Sequence, residues 1–146
     1  MREELKAAAG RIVGPFMSRK TIVVDGEAVI LDTSSTKAKE WYYPRYLCGE
    51  LHEPSVTQCI GSCLDRGDVF YDVGAHVGYY TIIAAVLVGG EGKVFSFEPN
   101  TKCHRTIRDG LRRNDVAATL VGSVVGAATD SERLTIEDME VHNAEV

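Results

Sequence analysis

Apolar positions concentrate in two short stretches, residues 69–73 (Val69-Phe70-Tyr71-Asp72-Val73) and 93–97 (Lys93-Val94-Phe95-Ser96-Phe97), with an apolar run at 82–88 between them. The first stretch is apolar on both of its faces, the pattern of a central strand in a parallel sheet. Gly74 and Gly78 frame a turn after it. Val77, Tyr80, Ala84 and Leu87 then recur at helical spacing and predict a stripe that packs back on the sheet. Gly89-Gly90 stops that helix, and 93–97 forms a second parallel strand. Strand, helix and strand together have the length that a parallel crossover requires.

The same pattern extends to both sides. Asn100 predicts a helix cap, with Cys103, Ile107 and Leu111 facing inward, Arg105, Arg108, Arg112 and Arg113 facing out, and Asn114-Asp115 as the end. Residues 118–121 predict a third strand, 124–128 are ambiguous, 133–136 could form a short strand, and the acidic tail from 137 has no clear period. Upstream, Glu53-Pro54-Ser55 opens a helix with proline in its first turn. Val56, Cys59, Ile60, Cys63 and Leu64 are its expected apolar stripe. Residues 21–31 hold two β-rich runs around Asp25-Gly26, a dipeptide suited to a tight hairpin. Residues 2–13 predict a short helix and 32–40 a polar loop. The aromatic stretch Trp41-Tyr42-Tyr43-Pro44-Arg45-Tyr46 reads first as a packing patch holding the N-terminal segment down, and second as a wall over a ligand. The expected organisation is an extension over 1–48 and an α/β domain over 49–146.

Composition narrows the function. At 146 residues the chain suffices for one domain with a core, and 21 acids against 16 Lys and Arg give a net charge of −5. That balance argues against nucleic acid or an anionic membrane as the main partner. The charged N-terminus lacks a signal-peptide core, and no apolar run reaches membrane length, so a soluble cytoplasmic protein is expected. Cys48, Cys59, Cys63 and Cys103 form no CxxC pair; they read as small buried hydrophobes in a reducing compartment, with no metal site.

Candidate chemistry sits at the two strand ends. Gly74 lets the backbone turn sharply and approach a ligand, Gly78 brings the next helix near it, and that helix offers N–H groups at its start. The spacing D-x-G-x-x-x-G is neither the dinucleotide fingerprint nor a Walker loop, which disfavours an NAD-type oxidoreductase. Glu98 closes the second strand, where an acid can accept from both hydroxyls of a ribose. Asp72 can position a cationic ammonium. A ligand with a ribose and an amino-acid cation but no pyrophosphate, such as S-adenosylmethionine, satisfies both acids.

These residues resemble a known family. Phe70-Tyr71-Asp72-Val73-Gly74-Ala75-His76-Val77-Gly78-Tyr79-Tyr80-Thr81 with Val94-Phe95-Ser96-Phe97-Glu98-Pro99-Asn100 is similar to the FkbM-like S-adenosylmethionine-dependent methyltransferases over roughly residues 50–136. The resemblance implies a Rossmann-like class I methyltransferase sheet and methyl transfer, typically to a hydroxyl of a small molecule or sugar-type group. It implies that Asp72, Gly74, Ala75, His76 and Gly78 make the methionine and loop contacts, that Glu98 holds the ribose, and that Pro99 and Asn100 line the adenosine site. His76 departs from the asparagine often found there, and capping or loop packing is an equal reading for it.

A full class I sheet has seven strands, of which this sequence supplies three. The expectation is therefore the N-terminal half of that fold, truncated or split, with the central strand's edge unpaired and open to self-association or a partner chain. No catalytic residue is nominated. His52, His104 and His142 are bases by type only, and helix or surface positions are expected for them. The alternative is a non-catalytic Rossmann-like module that pairs with another chain.

Overall fold

The computed structural model describes residues 18–35, 38, 41–42 and 51–126. The expected helix at 2–13, the short strand at 133–136, the acidic tail, His142 and Cys48 lie outside them.

The hairpin forms as its sequence predicts. Strands β1 (Arg19–Val24) and β2 (Glu27–Asp32) pair antiparallel, with Val24 opposite Glu27. Asp25 and Gly26 both take positive φ, 49° and 81°, the mirror-image turn that follows the twist of the strands. Ile22, Val24, Val29 and Leu31 alternate onto one buried face.

Helix α1 (Pro54–Cys63) follows, then β3 (Val69–Val73), α2 (Tyr79–Val88), β4 (Lys93–Phe97), α3 (Thr101–Arg113) and β5 (Thr119–Val121). The last three strands make a parallel sheet in the order β3-β4-β5. This is a mixed α/β fold with parallel strands joined through helices.

Helix α2 lies between two layers. It packs on β3 and β4 on one side and on β2 on the other. Eight of its ten residues are consequently buried, and only Tyr80 and Val86 are half-exposed. The expected stripe of Val77, Tyr80, Ala84 and Leu87 is thus too narrow: a helix covered on both sides is apolar nearly all round. The hairpin, α2 and α3 share one core. Asn114 pins the hairpin to the end of α3. Its side-chain amide donates to the Ile30 carbonyl (2.7 Å) and accepts from the Ile30 N–H (2.8 Å), as a neighbouring strand would. Arg113 pairs with the buried Asp32 beside it. Burial opposes ionisation of Asp32, but hydrogen bonds from Ser34 and Arg113 outweigh it and hold the carboxyl below its ordinary 3.8.

Two expectations about burial fail. In α1 the covered positions are Thr57 and Gly61, with Ile60 and Leu64 half-buried, while Val56, Cys59 and Cys63 face outward. Gly61 is the reason: a Cβ there would stand 3.1 Å from Val24 of the hairpin, so the small residue takes the contact face and turns the bulkier ones out. Of the cysteines, only Cys103 is buried among the described residues. In β3 only one face is covered. Phe70 and Asp72 turn toward the helices, whereas Val69, Tyr71 and Val73 are 51%, 62% and 59% exposed. Tyr71 stacks on Phe95 across the strands at 5.1 Å on that bare face. A double-apolar pattern reports what a strand can bury; among the described residues no element packs on this side, and β3 has no strand beyond it.

Candidate functional site

The loop from Asp72 to Gly78 and the strand end at Glu98 come together at the carboxyl ends of β3 and β4. Register fixes this: Asp72 lies beside Ser96, and Val73 beside Phe97. The Phe97 carbonyl then accepts from both the Gly74 and Ala75 N–H groups, at 2.9 and 3.1 Å. Gly74 has φ +82° with open space where a Cβ would stand, so backbone is exposed to a close approach there. Gly78 also has positive φ, but a Cβ on it would lie 2.8 Å from Ile107. Its small size is needed for α3 to pack against the start of α2.

Glu98 is 6% exposed and joins the two strand ends. One carboxylate oxygen accepts from the His76 N–H at 2.6 Å, and the other from the Asn100 N–H at 2.7 Å. Asn100 in turn caps α3, its side chain accepting from the Lys102 N–H. Each Glu98 oxygen keeps a further lone pair. His104 is a buried helix residue that donates through Nε2 to the Glu98 carbonyl at 2.6 Å, fixing the same segment from behind. Its role in this geometry is to hold backbone. Pro99, half-buried, connects Glu98 to the cap.

Asp72 sits under the loop, 8% exposed. The Thr81 hydroxyl donates to it at 2.5 Å, and Thr81 also meets the Ser96 hydroxyl at 2.9 Å. Because the Thr81 proton is committed to the carboxylate, Ser96 donates to Thr81. Burial pushes the Asp72 carboxyl above its ordinary 3.8, the Thr81 hydrogen bonds pull it down, and the Glu98 charge adds to the rise. Thr81 and Ser96 stand within the two motif stretches, but the sequence assigns neither of them a role. Ser96 could have been found as the lone polar residue inside an otherwise apolar strand.

His76 has φ +50°, a left-handed conformation uncommon outside glycine, so the loop turns through it. Its ring lies 5.7 Å from Trp41, which also meets His52 (4.6 Å) and Tyr79 (5.9 Å). Tyr42 is fully buried beside them, which pushes its phenol well up. The packing reading of the aromatic stretch thus holds for Tyr42. Trp41 is half-buried against the loop itself, so it also forms a wall beside His76. The backbone at Glu53 is left-handed as well, φ 41°, and its carboxylate accepts from Tyr80 at 2.6 Å and lies 3.4 Å from His52 Nε2. Thr57 donates to the His52 carbonyl and receives the Tyr79 hydroxyl, which ties α1 to the start of α2.

A separate open hollow is lined by Asp32, Ser34, Asp109, Arg112 and Arg113. It lies at the far end of α3 from the loop, and its arginines are paired with Asp32 and Asp109. Among the described residues no cluster of three or more metal-ligating side chains occurs, and no helix is long and apolar enough to cross a membrane. Comparison with known protein families and with curated proteins finds no match to this chain.

Proposed function

We propose that this chain carries the S-adenosylmethionine-gripping half of an FkbM-like class I methyltransferase, acting on a hydroxyl of a small-molecule or sugar-type acceptor in the cytoplasm. The observation that carries the reading is the juxtaposition of two buried acids at neighbouring strand ends with an open glycine turn between them. Glu98 has lone pairs to spare for ribose hydroxyls, with Pro99 and Asn100 beside the adenosine. Asp72 faces the methionine ammonium from below the loop, and Gly74, Ala75, His76 and Gly78 supply the turn around it. The cationic ligand suits this pair, because a positive charge offsets the burial and the Glu98 charge that oppose ionisation of Asp72. When bound, the cofactor supplies an electrophilic methyl on sulfonium. The protein's share is orientation and exclusion of water.

Calorimetric titration tests this. S-adenosylhomocysteine binding with NADH excluded is the expected result; NADH binding without S-adenosylhomocysteine overturns it. The face and edge of β3 that nothing covers among the described residues favour a second reading, a non-catalytic module of the same fold that pairs with another chain through that strand. Methyl transfer by a complex, absent from this chain alone, would join the two readings.

A further inference from the structure

Cysteine is among the residues most often buried, yet Cys59 and Cys63 are both exposed on α1, one turn apart. Their sulfurs lie 3.9 Å from each other. Side chains four apart on a helix hold their Cβ atoms roughly 5–6 Å apart. A disulfide needs Cβ atoms at about 3.5–4.5 Å, so the intact helix opposes a direct S–S bond. An interposed cation removes that constraint. Tetrahedral zinc with Zn–S bonds of about 2.3 Å spaces two sulfur ligands by about 3.8 Å, which the observed separation already matches.

We propose that Cys59 and Cys63 form a two-thiolate half-site for a thiophilic divalent cation of the zinc class, completed to four sulfurs by the same pair from a second copy of this chain. Among the described residues no third His, Cys, Asp or Glu joins the pair, so the described set is incomplete. A structural zinc site is closed by four ligands, and a two-fold axis through the metal supplies the other two from an identical surface. Val56, 46% exposed on the turn before Cys59, gives that contact an apolar flank. Each thiol releases its proton on binding, so two protons leave per chain and no oxidant or reductant is needed. This inference stands apart from the methyltransferase reading.

The test is titration of the reduced full chain with cobalt(II) under anaerobic conditions, read by thiolate-to-metal charge-transfer absorbance and by mass from light scattering. Zinc should then displace the cobalt. The expected result is saturation at half an equivalent per chain with a doubling of mass. Cys59→Ser and Cys63→Ser should each weaken binding at least tenfold, and Cys103→Ser should leave it intact. Circular dichroism checks that each variant is folded. No thiolate band, or a full band in the Cys59→Ser/Cys63→Ser double variant, overturns the site. Saturation at one equivalent with unchanged mass overturns completion by a second copy.

Discussion

Replacing Glu98 by glutamine tests whether its carboxylate is a brace as well as a candidate ribose ligand. The carboxylate accepts two backbone N–H groups, His76 at 2.6 Å and Asn100 at 2.7 Å, in a site that is almost fully buried. Hydrogen bonds to a charged acceptor contribute about 1.5–3 kcal/mol each, and a buried donor left without a partner costs about 1–3 kcal/mol. Glutamine keeps one acceptor oxygen and turns an NH2 donor toward the other N–H. The net loss is therefore about 2–4 kcal/mol, a large share of the stability of a small domain. With a urea m-value of about 1.5 kcal/mol/M, the unfolding midpoint falls by roughly 1–3 M. Equilibrium unfolding followed by circular dichroism reads this directly. Glu98→Ala loses both bonds and falls further. A Glu98→Gln midpoint within about 0.2 M of the parent would refute the brace, because one of the two N–H groups must then be satisfied in some other way. S-adenosylhomocysteine affinity, measured where the variant is still folded, separately reports the ligand role.

Other outcomes follow from the same geometry. Asp72→Asn keeps the acceptor for Thr81 and removes a charge whose pKa burial raises. It should stabilise the ligand-free protein at pH 8, with the gain shrinking as pH falls through the raised value toward 3.8, while weakening S-adenosylhomocysteine at least tenfold by calorimetry. Asp32 has the opposite sign: its depressed pKa gives stability above 3.8 that is lost as pH falls through the folded value. Arg113→Ala should therefore cost about 2 kcal/mol at pH 7 and progressively less in acid, read from urea midpoints across pH. Gly78→Ala combines left-handed backbone with a Cβ 2.8 Å from Ile107, for a loss of about 2–5 kcal/mol in thermal or urea melts. Asn114→Ala removes both bonds to Ile30 and one to Gly110 and should cost about 2–3 kcal/mol, with faster amide exchange in the hairpin.

The sequence was most legible where chemistry is local. The Asp25-Gly26 turn, the Asn100 cap, the inward face of Cys103, Ile107 and Leu111, and the parallel pair around Gly74 each follow from a few neighbouring residues. Legibility fell where burial depends on a distant partner. The orientation of α1 is set by Val24 meeting Gly61, a contact between segments far apart in the chain, so periodicity alone chose the wrong face and buried Cys59 and Cys63. The breadth of burial on α2 reflects a hairpin stacked behind it, which no window on α2 can show. At the site, the acids and glycines were visible as a motif. The Thr81–Ser96 hydroxyl pair and the support of Glu98 by His104 arise only once strands and helices are side by side.

The march of the sheet from β3 through β4 to β5 has a topological consequence for its bare face. Parallel crossovers are almost invariably right-handed, so successive units stepping in one direction put all their helices on the same side. The helices α2 and α3 obey this, and further steps beyond β5 would only extend the covered side. The opposite side, with Val69, Tyr71 and Val73, is reached by right-handed units that step the other way, outward from the edge of β3 that no strand covers among the described residues. Whatever polypeptide shields those residues by such crossovers must begin its sheet at β3, which would make that strand the point where the winding reverses and the crevice above Gly74 a two-walled one.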